Sequence, residues 1–332
     1  MNRKEFVRLC SILGIGLPFS GAVNPCDRKD DIPLQSGEKV IIIGAGPAGM
    51  SAAYLLAQQS IDFEILEALP TYGGRIKHNR DFSNFPISLG VEWIHVERGI
   101  LNEIVNDSSI NIQTQTQGYD LQNDQSGYWD GSEYSARGLG DDFGFDFDDL
   151  KFVSSSWLDF FETYVLPSIE SNITYNTPIT AINYSGDQIE LTTQGGETHT
   201  ADRVIVTVPV KILQNGYINF NPALPNSKQE AIDSITVWSG FKAFFKFNTK
   251  FFPSWLSFPD SDERAGQIYY YDAAYAQNTP DVILGLFSTG DKAEKYQRLS
   301  DNEQRDFILQ ELDEIFGNNI ASANYIEHIV QN

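Results

Sequence analysis

The first clear pattern along the chain is an apolar run without alternation. Lys39-Val40-Ile41-Ile42-Ile43 sets β-branched residues side by side, which predicts a strand buried on both faces, as in a parallel sheet. Met50, Ala53, Tyr54 and Ala57 follow at helical spacing, so a helix with one apolar stripe comes next. Phe63-Glu64-Ile65-Leu66 reads as a second strand ending at Glu67. From 173 to 208, short alternating runs are broken by Ser185-Gly186-Asp187 and Gln194-Gly195-Gly196, which predicts a β-meander. It closes in Arg203-Val204-Ile205-Val206-Thr207-Val208, a further buried strand. Residues 96–171 differ in character. An acidic, glycine-rich stretch at 140–149 reads as a solvated loop. Leu150, Val153, Trp157, Leu158 and Phe161 then predict an amphipathic helix ended by Pro167.

Two more helices are announced by capping boxes, Ser227-x-x-Glu230 and Ser300-x-x-Glu303. The second carries the stripe Phe307, Ile308, Leu312, Ile315 and Phe316, and Gly317 ends it. In the run from Phe241 to Phe247, period 2 puts Ala243, Phe245 and Phe247 on one face and Lys242, Phe244 and Lys246 on the other. By pattern alone, Lys242 faces solvent.

The strand at 39–43 runs directly into Gly44-Ala45-Gly46-Pro47-Ala48-Gly49, a G-x-G-x-x-G segment that opens the helix. Gly44 allows the tight turn, Gly46 lets a pyrophosphate approach the backbone, and Gly49 lets helix and strand pack closely. The helix start, through Pro47 and Ala48, then faces the phosphates with free N–H groups. Glu67 stands 18 residues after Gly49 at the end of the second strand. A carboxylate there accepts both hydrogens of a ribose diol, which argues for FAD or NAD and against NADP. Gly73-Gly74-Arg75 adds a second close-approach turn, with a guanidinium able to pair with a diphosphate.

Composition narrows the partners. The chain has 332 residues, 41% hydrophobic and 20% charged, an ordinary globular balance. Its net charge of −22 argues against a nucleic-acid partner, which needs a cationic face, and suits a cationic small substrate. Cys10 and Cys26 are the only cysteines, and the four histidines are scattered, so no metal site is expected. Arg3, Lys4 and Arg8 precede a short apolar run from Leu9 to Leu17. This reads as an export signal over 1–26, too short for a transmembrane span. Arg3-Lys4-Glu5-Phe6 is similar to a degenerate twin-arginine signal, and Cys26 is a candidate for lipidation. The expected location is periplasmic or lipid-anchored at the envelope, with a cytoplasmic chain as the alternative.

Gly44 to Gly49, Glu67 and Gly73-Gly74-Arg75 together resemble the flavin-containing amine oxidase family, which includes monoamine, polyamine and L-amino-acid oxidases. Ser88-Leu89-Gly90-Val91-Glu92-Trp93-Ile94-His95 strengthens the likeness, its Trp-Ile-His form being similar to the polyamine oxidase branch. The resemblance implies FAD as cofactor. It implies oxidation of a polyamine-like amine to an imine, with O2 reduced to H2O2. It also implies an α/β fold, a Rossmann-type FAD-binding domain from 38–95 and 172–215 interleaved with a mixed α+β substrate domain from 96–171 and 216–332. By the same resemblance, the backbone of Gly90, Val91, Glu92 and Trp93 passes the flavin ring. Ile179 holds the adenine through its backbone, and its bland reading, core packing, is compatible with that. His95 lines the substrate tunnel, and Lys242 holds a water beside flavin N5. Phe252 stands where the family usually has Trp.

The family pattern continues past Asn332 with a Gly-Glu turn, a glycine-rich helix start and an aromatic pair. The resemblance thus leaves open a complementing C-terminal fragment as partner. Other readings on the same scaffold are an L-amino-acid oxidase, a desaturase-like enzyme or a non-catalytic flavin-binding fragment. An amino-acid carboxylate would want an arginine after Gly90, and the first one there is Arg98.

Overall fold

Lys39–Ile43 forms the predicted strand and pairs in parallel on both sides, with Asp62–Leu66 and with Arg203–Val206. The computed structural model describes residues 37–96, 98–143, 149–259 and 266–331. The export-signal reading over 1–26, with Cys10 and Cys26, lies outside the described residues, as do 144–148 of the acidic stretch. Among the described residues no helix is long and apolar enough to cross a membrane.

The chain divides into two compact units. The first comprises residues up to Ile76, Gly99–Ile112 and Leu158–Thr236. Its parallel sheet has the order Ile173–Thr174, Asp62–Leu66, Lys39–Ile43, Arg203–Val206. A right-handed crossover needs a helix between the first two long strands, and Pro47–Gln58 supplies it with Met50, Ala53 and Tyr54 buried. The predicted meander is present as Ile179–Asn183, Ile189–Thr193 and Thr198–Ala201, antiparallel, with Asn219–Asn221 added in parallel. Ile179, Ile182 and Leu191 pack against Ile41, Ile43 and Leu66 to form this unit's core.

The second unit comprises Lys77–Arg98, Gln113–Trp157 and Val237–Asn332. A seven-stranded sheet runs in the order Tyr325–Gln331, Gly240–Phe247, Val282–Thr289, Ile268–Asp272, Trp255–Ser257, Gln125–Trp129, Tyr134–Gly138. One face buries Ala243, Phe245 and Phe247 against Ile308, Leu309, Leu312 and Ile315 of the helix Asp301–Phe316. Phe244 on the opposite face joins Phe82, Phe85, Trp93 and Tyr271. Both faces are therefore covered.

Several expectations need correction. The helix predicted from Leu150 begins only at Trp157, and Leu150–Phe152 is a strand. Its backbone pairs with Trp93–Ile94 and Thr116–Gly118, and Ser154 turns the chain at φ 53°; strand pairing outweighs helical spacing here. Ser227 caps nothing, because its helix starts at Asn226 behind Pro225. Ser300 and Glu303 do form a reciprocal capping box. Phe307, placed on the apolar stripe, is exposed. The strand ending the meander stops at Val206 and is half-buried, since it lies at the edge of its sheet among the described residues. Packing groups 77–95 with the second unit, and 99–112, 158–171 and 216–236 with the first.

Candidate functional site

In the first unit, the glycine segment is a preformed anion cradle. Gly44 turns at φ 105° and its N–H donates to Leu66 O at 2.9 Å. A Cβ built on Gly46 meets nothing within 4 Å, whereas one on Gly49 would sit 1.9 Å from Gly44 O. Gly46 is thus open for a ligand, while Gly49 is filled by the chain itself. The helix Pro47–Gln58 has no side-chain cap and no acid in its first turn, which leaves its N-terminal N–H groups and positive dipole end for an anion. The second glycine turn folds against the first. Gly73 N–H donates to Ala45 O at 2.9 Å, and a Cβ on Gly74 (φ 54°) would lie 3.3 Å from Gly46 Cα. Arg75 beside it is exposed and has no ion-pair partner among the described residues.

Glu67 is buried at the strand end. Its Oε2 accepts from Ala45 N–H at 2.6 Å and its Oε1 from Leu69 N–H at 2.9 Å. Each oxygen keeps a lone pair, so the carboxylate is held rigid yet still able to take a diol. The side chain of Ile179 packs into the core. These residues fit the diphosphate and ribose of a flavin dinucleotide.

In the second unit, the structure brings together residues 88–93, Lys242 and two side chains that sequence reading did not single out. Lys242 is 4% exposed, not on a solvent face. Its pattern position was read correctly, but residues 82–93 cover that face. Its ammonium donates to Ser88 O (3.0 Å), Gly90 O (3.1 Å) and Glu92 Oε2 (2.8 Å). Lys151, 2% exposed, donates to Asp272 O (3.2 Å) and Ala273 O (3.1 Å) and lies 3.2 Å from Glu92 Oε1. Tyr271 also donates its hydroxyl to Glu92 Oε2. Two ammonium groups therefore share one buried carboxylate. Lys242 sits 5.4 Å from the Trp93 and Phe244 ring centroids and 5.7 Å from that of Tyr271, which adds cation–π attraction.

Burial pulls the Lys242 pKa down, against the opposing pull of Glu92. Burial would raise that of Glu92, but the two lysines outweigh it and hold the carboxyl below its ordinary value. A narrow crevice reaches this cluster, lined among others by Phe85, Ser88, Glu92, Lys151 and Phe244.

Of the remaining expected residues, Val91 is exposed and Gly90 half-buried. Trp93 is buried edge-on to Tyr271 at 4.7 Å. His95 is exposed and its Nδ1 lies 2.8 Å from Asp149 Oδ2. Lys151 escaped sequence reading because the helical spacing assigned to 150–161 put it on a polar face. The available signal was its place between Leu150 and Phe152, a charge flanked by apolar residues at strand spacing.

Comparison with known proteins bears on the family and the fold. The family profile described as flavin containing amine oxidoreductase matches residues 165–331. That of an NAD(P)-binding Rossmann-like domain matches 42–107. Mouse lysine-specific histone demethylase 1B is 30% identical over 149 residues, 44% of this chain and 18% of the relative. Arabidopsis thaliana polyamine oxidase 2 is 28% identical over 145 residues, 43% of this chain and 29% of the relative. The matched stretch thus spans less than a third of either relative's length. Wild-type putrescine oxidase, solved bound to putrescine, superposes with a TM-score of 0.67 at 14% identity, covering 89% of this chain and 84% of that one. At that identity the likeness shows the fold alone.

Proposed function

The chain belongs to the flavin containing amine oxidoreductase family, and on that premise we propose that it oxidises a polyamine-like primary or secondary amine to an imine, with O2 reduced to H2O2. FAD is the cofactor of the family. The open face of Gly46, the uncapped helix start and the exposed Arg75 fit its pyrophosphate, and Glu67 fits its ribose. Bound FAD supplies the acceptor for the hydride that leaves the amine's α-carbon.

The observation that carries the reading is the buried ammonium of Lys242 against the Gly90 segment, paired with Glu92 at the wall of a crevice that Phe85, Phe152 and Phe244 also line. In this reading Lys242 holds the water that hydrolyses the imine. Phe85, Phe152 and Phe244 line the crevice, and apolar walls of this kind strengthen the electrostatic contacts beside them. His95, exposed, and the half-buried Asp149 beside it recruit the cationic substrate.

The test is an absorbance spectrum of the purified chain loaded with FAD, before and after anaerobic addition of spermine. The flavin band at about 450 nm is expected to bleach with spermine. A flavin that stays oxidised with spermine, putrescine and monoamines alike would overturn the proposal. The location is proposed separately: residues 1–26 direct export, and fractionation of cells expressing the chain with and without them tests it. Equal cytoplasmic retention of both forms would refute export.

A further inference from the structure

Lys242 has three N–H donors, and all three are taken, by Ser88 O, Gly90 O and Glu92 Oε2. A lysine so saturated cannot also hold a water or an amine. One donor has to be released, and releasing Glu92 would normally strand a buried carboxylate, a costly state. Lys151 changes that balance. It is as buried as Lys242, it repeats the same pattern of two backbone carbonyls and one carboxylate oxygen, and the reaction as derived so far gives it nothing to do.

We infer that Lys151 is a positioning residue for Lys242: it holds one oxygen of Glu92, so that Lys242 can turn an N–H from the other oxygen to a water or amine without leaving the carboxylate unpaired. The inference rests on the amine oxidase reading for its purpose, but the sharing of Glu92 is a property of this unit alone. The groups facing the pair come from several strands. Tyr271 donates to Glu92, and Tyr119 and Tyr269 feel its charge. Burial pushes all three phenols up, so they remain neutral. The Asp272 carboxylate is occupied by Lys250 at 2.6 Å, and Lys246 by Glu327 at 2.8 Å. Lys151 is thus the second cation on Glu92.

The test reads Lys242 directly. The full chain is treated with formaldehyde and cyanoborohydride at pH 8, and methylation of each lysine is timed by mass spectrometry, with Lys295 as internal reference. Lys151→Gln keeps amide donors for Asp272 O and Ala273 O but removes the charge. Glu92 then serves Lys242 alone, its ammonium is held more firmly in the charged form, and Lys242 is expected to react about tenfold more slowly. Mere loosening of the site would speed the reaction instead. Methylation of Lys242 at the wild-type rate or faster in Lys151→Gln overturns the inference. Should that variant not fold, Glu92→Gln decides: Lys242 is expected to react at least tenfold faster, and an unchanged rate overturns it.

With FAD and spermine, Lys151→Gln is expected to lower kcat about tenfold at unchanged KM and unchanged flavin content. If the wild-type flavin is not reduced by any amine, the functional reading fails while the methylation result still stands or falls by itself.

Discussion

Replacing Gly49 with alanine would test how the nucleotide cradle is built. The new Cβ would lie 1.9 Å from Gly44 O and 3.1 Å from Gly44 C. An ordinary carbon–oxygen contact is about 3.3 Å, so one partner must move by roughly 1.4 Å. Gly44 cannot move freely. Its N–H donates to Leu66 O at 2.9 Å, and its carbonyl receives the Thr207 hydroxyl at 3.2 Å. Moving the helix instead would disturb buried Met50, Ala53 and Tyr54. Overpacking against such a fixed wall costs about 3 kcal/mol, and so a fall in Tm of roughly 6–12 °C for a unit of this size. Gly46→Ala is the control, since its Cβ meets nothing. Apoprotein stability should change by less than about 0.5 kcal/mol, while FAD affinity drops by about 10–100-fold as the methyl fills the phosphate approach. Thermal melts of the apoproteins and FAD titrations followed by flavin fluorescence give both quantities. Wild-type melting of Gly49→Ala, or unchanged FAD affinity of Gly46→Ala, would refute the reasoning.

Other outcomes follow from the same geometry. Thr207→Val removes the hydroxyl donated to Ile43 O at 2.8 Å and should cost about 1 kcal/mol by urea unfolding. Glu92→Gln leaves two buried ammonium groups without a counter-charge and should cost about 3–5 kcal/mol at pH 7. Because the Glu92 carboxyl is held below 4.5 in the fold, its contribution is present above pH 4.5 and lost as pH falls through the depressed value. The variant's acid limb should be correspondingly flatter. Lys242 titrates below 10.5 in the fold, so stability should rise with pH between its depressed value and 10.5, and Lys242→Met should abolish that rise. His95→Asn, at an exposed position, should leave Tm unchanged and raise KM for spermine without lowering kcat; an unchanged KM would remove His95 from substrate recruitment.

Local sequence carried the nucleotide half of the protein. An unbroken β-branched strand, three glycines at fixed spacing and an acid at the next strand end are short-range features, and each constrains the backbone where it stands. Gly46 and Gly49 could be told apart by role before any coordinates, and the structure gives one an empty Cβ position and the other an occupied one. The face of Lys242 was likewise set by period 2. Its burial was not, because the residues that cover it, 82–93, lie some 150 positions earlier in the chain. Lys151 shows the limit most clearly. Helical spacing and strand pairing compete for 150–152, and pairing with Trp93–Ile94 decides in favour of the strand. Only that pairing carries its ammonium to Glu92, where two lysines meet one carboxylate. Periodicity fixes which way a side chain points relative to its neighbours; what it meets there depends on contacts between distant segments, which the tertiary structure alone supplies.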